Sequence, residues 1–152
     1  MNLGIASDHA GLELKSKILE FLKEFIPSAK VIDYGMKGDY EVSDYPDYSK
    51  VLAKDISSHR IERGILICGT GIGMAIVANK FPKVQAVVVG DEYTAKMSRS
   101  HNDSNVICLG ARVTHWERAI EFVKIWLNTP FEKGRHQNRI DKIRTIELGI
   151  HA

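Results

Sequence analysis

The chain has 152 residues, the length of one ordinary domain, with no room for two domains and a linker. Apolar residues make up 44% and charged residues 26%, the balance of a folded globular protein, and disorder is excluded as the main state. The net charge of +2 is uneven: residues 1–104 carry 13 basic against 14 acidic side chains and residues 105–152 carry 8 against 5. That mildly basic tail falls short of the concentrated positive face expected of a nucleic-acid binder. Apolar runs such as Ala86-Val87-Val88-Val89 stop far below the ~20 residues of a membrane-spanning helix. The start, Met1 to His9, has neither the basic nor the apolar region of a signal peptide, and the expected compartment is the cytoplasm. Cys68 and Cys108 stand in no C-x-x-C or zinc-type spacing and read as free thiols, so neither disulfide nor metal is expected.

In chain order, short β-rich runs alternate with helical patterns, the signature of βαβ units and a parallel sheet covered on both faces. Strands are expected at residues 2–6, 30–33, 64–68, 85–89 and 106–109, each mostly apolar, as strands buried on both faces should be. Leu14, Ile18, Phe21, Leu22 and Phe25 form one face of a first helix, which Pro27 stops. A second helix opens at Asp44-Tyr45-Pro46, with Tyr48, Val51, Leu52 and Ile56 expected to face inward. Further helices read at about 73–80, 92–100 and 115–128. The last, from Arg135, sets Ile140, Ile143 and Ile146 on one side and Arg135, Arg139 and Lys142 on another. The longest irregular stretch is residues 34–44. A single α/β domain follows, with a five-stranded parallel sheet.

Ligands of parallel α/β sheets bind beyond the carboxyl ends of the strands. There the sequence places Ser7-Asp8-His9, then Cys68-Gly69-Thr70-Gly71-Ile72-Gly73, then Gly90-Asp91, and finally Gly110-Ala111-Arg112. The second segment delivers a thiol into a glycine-rich turn that opens a helix, where converging amides suit a phosphate or a developing oxyanion. A cysteine in that position is a candidate base or nucleophile with a lowered pKa; the bland alternative is a tight turn with a buried cysteine. A dinucleotide site fits poorly. Although Asp91 lies 20 residues beyond Gly71, the third glycine position of G-x-G-x-x-G is Met74 or Ile76.

Asp8 and His9 offer a carboxylate for hydroxyls and an imidazole for an anion, while Asp8 equally fits a helix N-cap. His101 by itself reads as a surface residue closing a helix. Arg135 and Arg139, four apart with His136 between them, suit a pair of guanidinium groups on one phosphate or a plain solvated face. Cys108, Trp116 and Trp126 read as packing residues.

Seven segments together resemble the ribose-5-phosphate isomerase B family, which also contains allose-6-phosphate and galactose-6-phosphate isomerases. They are Ser7-Asp8-His9-Ala10-Gly11, Asp44-Tyr45-Pro46-Asp47-Tyr48, Gly64 to Gly73 with Ala78-Asn79-Lys80, Ser98 to Asp103, Gly110-Ala111-Arg112, and Gly134 to Arg139. The resemblance implies a Rossmann-like three-layer sandwich and a homodimer, or dimer of dimers, whose active site both subunits share. No cofactor, metal, nucleic acid or membrane is implied. The implied reaction interconverts ribose 5-phosphate and ribulose 5-phosphate through an enediolate, in pentose phosphate metabolism, with allose 6-phosphate as a possible side substrate.

The same resemblance assigns roles. Cys68 would shuttle the proton, the amides of Gly69, Thr70, Gly71, Ile72 and Gly73 would form the anion hole, and Thr70 would assist near the sugar hydroxyls. His101 would open the furanose ring, Asp8 and Asn102 would hold sugar oxygens, and Tyr45 would shape the pocket. His9, Arg112, Arg135 and Arg139 would grip the phosphate, some across the subunit interface, with the helix at about 135–148 reaching the partner. The family has a variant with a glutamate base in the helix after the loop. This chain has no acid between Cys68 and Lys80, which makes it the cysteine type.

Overall fold

The computed structural model describes residues 1–38 and 41–149. Asp39 and Tyr40 of the irregular stretch 34–44, together with residues 150–152, lie outside the described residues. The strands are β1 (Asn2–Ser7), β2 (Lys30–Asp33), β3 (Arg63–Cys68), β4 (Ala86–Val88) and β5 (Val106–Gly110). The α-helices are α1 (Leu12–Phe25), α2 (Tyr45–Ser57), α3 (Ile72–Ala78), α4 (Glu92–Ser100), α5 (Trp116–Asn128) and α6 (Arg135–Glu147). A 3-10 turn, His9–Gly11, leads into α1.

All strand pairs are parallel, in the order β2-β1-β3-β5-β4. The register fixes where functional groups emerge: Ser7 pairs with Ile67 and Cys68 with Gly110. Three strands therefore end side by side at the centre of the sheet, the position where α/β sheets bind ligands.

Alternating side chains feed two cores. On one face Ile5, Ile65, Ile67 and Leu109 pack against Leu14, Ile18 and Leu22 of α1, Ala95 of α4, and Phe122 and Trp126 of α5. On the other, Ala6, Leu66 and Cys108 meet Leu52 and Ile56 of α2 and Met74 and Ala78 of α3. This is the three-layer sandwich expected from the alternation of elements, because every strand must bury both faces.

The differences are local. β4 is shorter than the apolar run suggests: Asn79 takes the Ala86 N–H and carbonyl with its own side chain and fixes the strand's start. Val51, expected to face inward, is exposed, since Leu52 and Ala53 already fill the space beneath α2. Trp126 is buried with its indole N–H on Ser104 Oγ at 2.8 Å. Trp116, by contrast, is partly exposed under Lys17 rather than a core residue. No helix among the described residues is long and apolar enough to cross a membrane.

Candidate active site

β3 ends in Cys68, and the next three residues turn the chain into α3. Gly71 makes that turn possible: its φ is +81°, and a Cβ there would lie 3.1 Å from the backbone of Cys108 and Leu109, so the loop rests directly on β5. The Gly71 N–H donates to Cys68 Sγ at 3.1 Å, and the Ile72 N–H donates to Thr70 Oγ1 at 3.3 Å. The loop is also tied to the segment after β5. Ala111 N–H donates to the Cys68 carbonyl at 2.9 Å and Arg112 N–H to the Gly69 carbonyl at 3.0 Å. Cys68 is thus held at a fixed point, 5% exposed, with a main-chain donor on its sulfur. Cys108 differs: complete burial, and secondarily Cys68, push its thiol far up, so it stays protonated in the core.

Two further groups lie over this loop, and two more follow the neighbouring end of β1. The Tyr45 ring lies over Gly73, where a Cβ would come within 2.5 Å of it. The Arg112 guanidinium lies over Gly69, where a Cβ would stand 3.2 Å from its Nη1. Asp8 is buried and caps the 3-10 turn by accepting the Ala10 N–H at 3.0 Å, so the capping alternative for this residue is realised. His9 is held by Ser43, whose N–H donates to His9 Nδ1 at 3.1 Å while the His9 N–H donates to Ser43 Oγ at 3.0 Å. Nδ1 being an acceptor, Nε2 is the donor of the neutral ring.

Sequence reasoning missed the support beneath His9. Buried Lys15 donates to Asp33 Oδ1 at 2.9 Å and to the Met36 carbonyl, and Met36 Sδ in turn accepts from Ser43 Oγ at 3.2 Å. A lysine in the apolar stripe of α1, with an aspartate closing β2, was the available signal.

The remaining expected site residues lie elsewhere. α4 runs from the carboxyl edge of the sheet back to its amino edge, so His101, its C-cap, stands where β5 begins. Asn102 is beside it, exposed, its carbonyl accepting from Gln85 Nε2. α6 crosses this amino edge: Glu132, just before it, donates its N–H to the Ser100 carbonyl at 3.0 Å, and Glu147 at its far end accepts the Lys83 N–H at 2.9 Å. His101 and His136 stack with ring centroids 4.1 Å apart and 14° between planes. Glu132 Oε2 lies 3.6 Å from His136 Nε2 and 4.0 Å from His101 Nε2. Burial, then His101, Arg135 and Arg139, hold His136 below the ordinary imidazole range, outweighing the opposite pull of Glu132. Arg135 and Arg139 are exposed on the same helix. His136 and Glu132 are therefore additions to the expected set.

Within one chain the two groups cannot meet: the five-residue β5 separates the edges by roughly 15 Å at about 3.3 Å per residue. The ligand atoms of His101, Glu132 and His136 all fall within 4.8 Å of one another. The stacked rings, however, put their in-plane lone pairs in parallel planes rather than aiming them at one ion.

A Rossmann-like three-layer sandwich whose third strand delivers a cysteine into a glycine-rich turn, without a dinucleotide fingerprint, defines the class of α/β protein. Residues 3–143 match the family model described as Ribose/Galactose Isomerase, and the chain belongs to that family. It is 42% identical over 145 residues to ribose-5-phosphate isomerase B of Escherichia coli strain K12, covering 95% of each chain. Ribose-5-phosphate isomerase B of Clostridium thermocellum superposes with a TM-score of 0.93 at 44% identity, over 99% of this chain and 100% of that one. The Mycoplasma genitalium enzyme, crystallised with bound ribulose 5-phosphate, gives 0.92 at 42% identity, covering 97% and 96%. The chain is an aldose–ketose isomerase, as the resemblance implied.

Proposed function

We propose that the chain interconverts ribose 5-phosphate and ribulose 5-phosphate through an enediolate, serving pentose phosphate metabolism in the cytoplasm, with Cys68 as the proton-shuttling base. The observation that carries this reading is the Cys68 sulfur pinned by the Gly71 amide at 3.1 Å, at the mouth of a glycine loop. A relative at 42% identity with ribulose 5-phosphate bound supports the substrate.

In the forward direction His101 protonates the ring oxygen as its bond to C1 breaks, and the anomeric hydroxyl releases its proton to solvent to leave the C1 aldehyde. The Cys68 thiolate then removes the C2 proton, the C–H electron pair forms the C1–C2 double bond, and the carbonyl oxygen becomes the enediolate oxygen. The same thiol returns the proton to C1 while the O2 hydroxyl passes its proton to O1, leaving the C2 ketone and a C1 hydroxyl. Developing charge on oxygen is met by amides of the 69–73 loop. Of those, Gly71 and Ile72 already have acceptors within the loop, so Gly69, Thr70 and Gly73 carry most of that role. Thr70 and Asp8 hold hydroxyls, and Tyr45 packed on Gly73 limits the pocket.

The phosphate grip needs His9 and Arg112 from the carboxyl edge together with Arg135 and Arg139 from the amino edge. The distance between those edges in one chain supports a homodimer, or a pair of dimers, in which the amino edge of one subunit with His101 and Asn102 closes the Cys68 loop of its partner. Exposed apolar residues fit such an interface: Ile72 and Ile76, one helical turn apart on α3, are 55% and 57% exposed. Allose 6-phosphate is a side substrate in this reading, because one additional hydroxymethyl group costs only about 1–3 kcal/mol to exclude.

Proton NMR of the protein with ribose 5-phosphate in D₂O, without added metal, tests the reading. Ribulose 5-phosphate should appear with deuterium at the exchanged carbon. Binding without exchange would instead make the chain a sugar-phosphate sensor.

A further inference from the structure

β3 begins at Arg63, at the sheet edge opposite Cys68, beside a cavity of about 500 Å³ that the isomerisation does not use. Arg63, Lys83, Arg99 and Arg144 line it, with His59 at the rim. The Arg63 guanidinium lies 5.1 Å from the Trp126 ring centroid, its Nη1 buried without a hydrogen-bond partner. Arg99 Nη1 donates to Asp103 at 2.8 Å and to the Ser104 carbonyl at 2.6 Å, while its Nε is buried without a partner.

Three acids share the lining, and each accepts a hydrogen bond. Asp103 holds Arg99, Glu147 accepts the Lys83 N–H at 2.9 Å, and Glu62 accepts the Asn2 N–H at 3.1 Å. Burial and then Arg99 push Arg63 down to about 10, so it remains charged at neutral pH. Arg63 makes no ion pair within 4 Å among the described residues; Asp103 and Glu62 act on it only from farther off, so its half-desolvated guanidinium beside Arg99 is compensated in part.

We propose that this cavity binds a small phosphoryl-bearing anion, at a site distinct from the substrate phosphate grip. Guanidinium groups match the oxygens of a phosphoryl group two at a time. The site joins three elements: β3 through Arg63, α4 through Arg99 and α6 through Arg144.

The test uses pyrophosphate as probe, titrated calorimetrically at low ionic strength into a chain carrying R135Q and R139Q, which removes two cations from the substrate site. Near one equivalent per chain should bind. Adding R144Q, at an exposed position, should weaken binding about three-fold, and adding R63Q about ten-fold or more, the loss expected for charge-assisted hydrogen bonds. Citrate should bind more weakly than pyrophosphate. Absence of binding in the R135Q/R139Q chain, equal affinity with and without R144Q, or citrate binding as tightly as pyrophosphate would overturn the proposal. Arg144 sits on the surface, so its variant decides the matter even if R63Q fails to fold. None of these outcomes depends on whether Cys68 is the base.

Discussion

The His101 and His136 rings stack 4.1 Å apart at the amino edge of the sheet, whereas Cys68 closes β3 at the carboxyl edge. A reaction that needs both must draw them from two chains. Mixing a C68A chain with an H101N chain, each inactive alone, and allowing subunits to exchange should therefore restore activity. With random pairing in a two-fold dimer, half the dimers are mixed and each has one intact site, giving about a quarter of the wild-type rate. Absence of recovery, with exchange verified by mass spectrometry, would place both residues in one chain's site.

His136 is buried and held neutral, chiefly by burial and then by the charges of His101, Arg135 and Arg139. Its folded pKa lies below that of the unfolded chain, near 6.5. The unfolded state thus takes up the proton first, and the stability contributed above pH ~6.5 is lost as the pH falls toward the folded value. Urea midpoints measured from pH 7.5 to 5 should fall more steeply for the wild type than for H136Q. Parallel curves would mean that His136 titrates normally.

The Lys15 ammonium, 4% exposed, bonds Asp33 at 2.9 Å and the Met36 carbonyl beneath the Ser43–His9 contact. K15M leaves Asp33 without its counter-ion and should lower stability by about 3 kcal/mol, the cost of breaking a largely buried pair. Because the same bonds fix the segment that holds His9, KM for the sugar phosphate should rise more than kcat falls. A stable variant with unchanged KM would reduce Lys15 to a surface-like role.

Much of this was legible in the sequence because the signals are local. Apolar runs of four to six residues between amphipathic helices could only be strands buried on both faces, and Gly71 before Ile72 marked the turn at the end of β3. What the sequence could not convey was which side chains meet across long separations. Ser43 reaching His9, Tyr45 lying on Gly73, and Glu132 between two histidines depend on how three elements pack. The inward reading of Val51 failed because helical periodicity gives a face but not its width, and Leu52 and Ala53 already complete the contact.

Cys68 as the base is tested most directly by isomerisation in C68S, which keeps the side-chain shape and an acceptor for the Gly71 N–H but replaces the thiol with a smaller hydroxyl of far higher pKa. The C68S rate should lie at least about 10²-fold below wild type, the usual contribution of a positioned proton-transfer group. Deuterium exchange from D₂O should fall in parallel, while ribose 5-phosphate still binds with near wild-type affinity. Turnover and exchange within a few-fold of wild type would contradict that role for Cys68 and move the base to another residue.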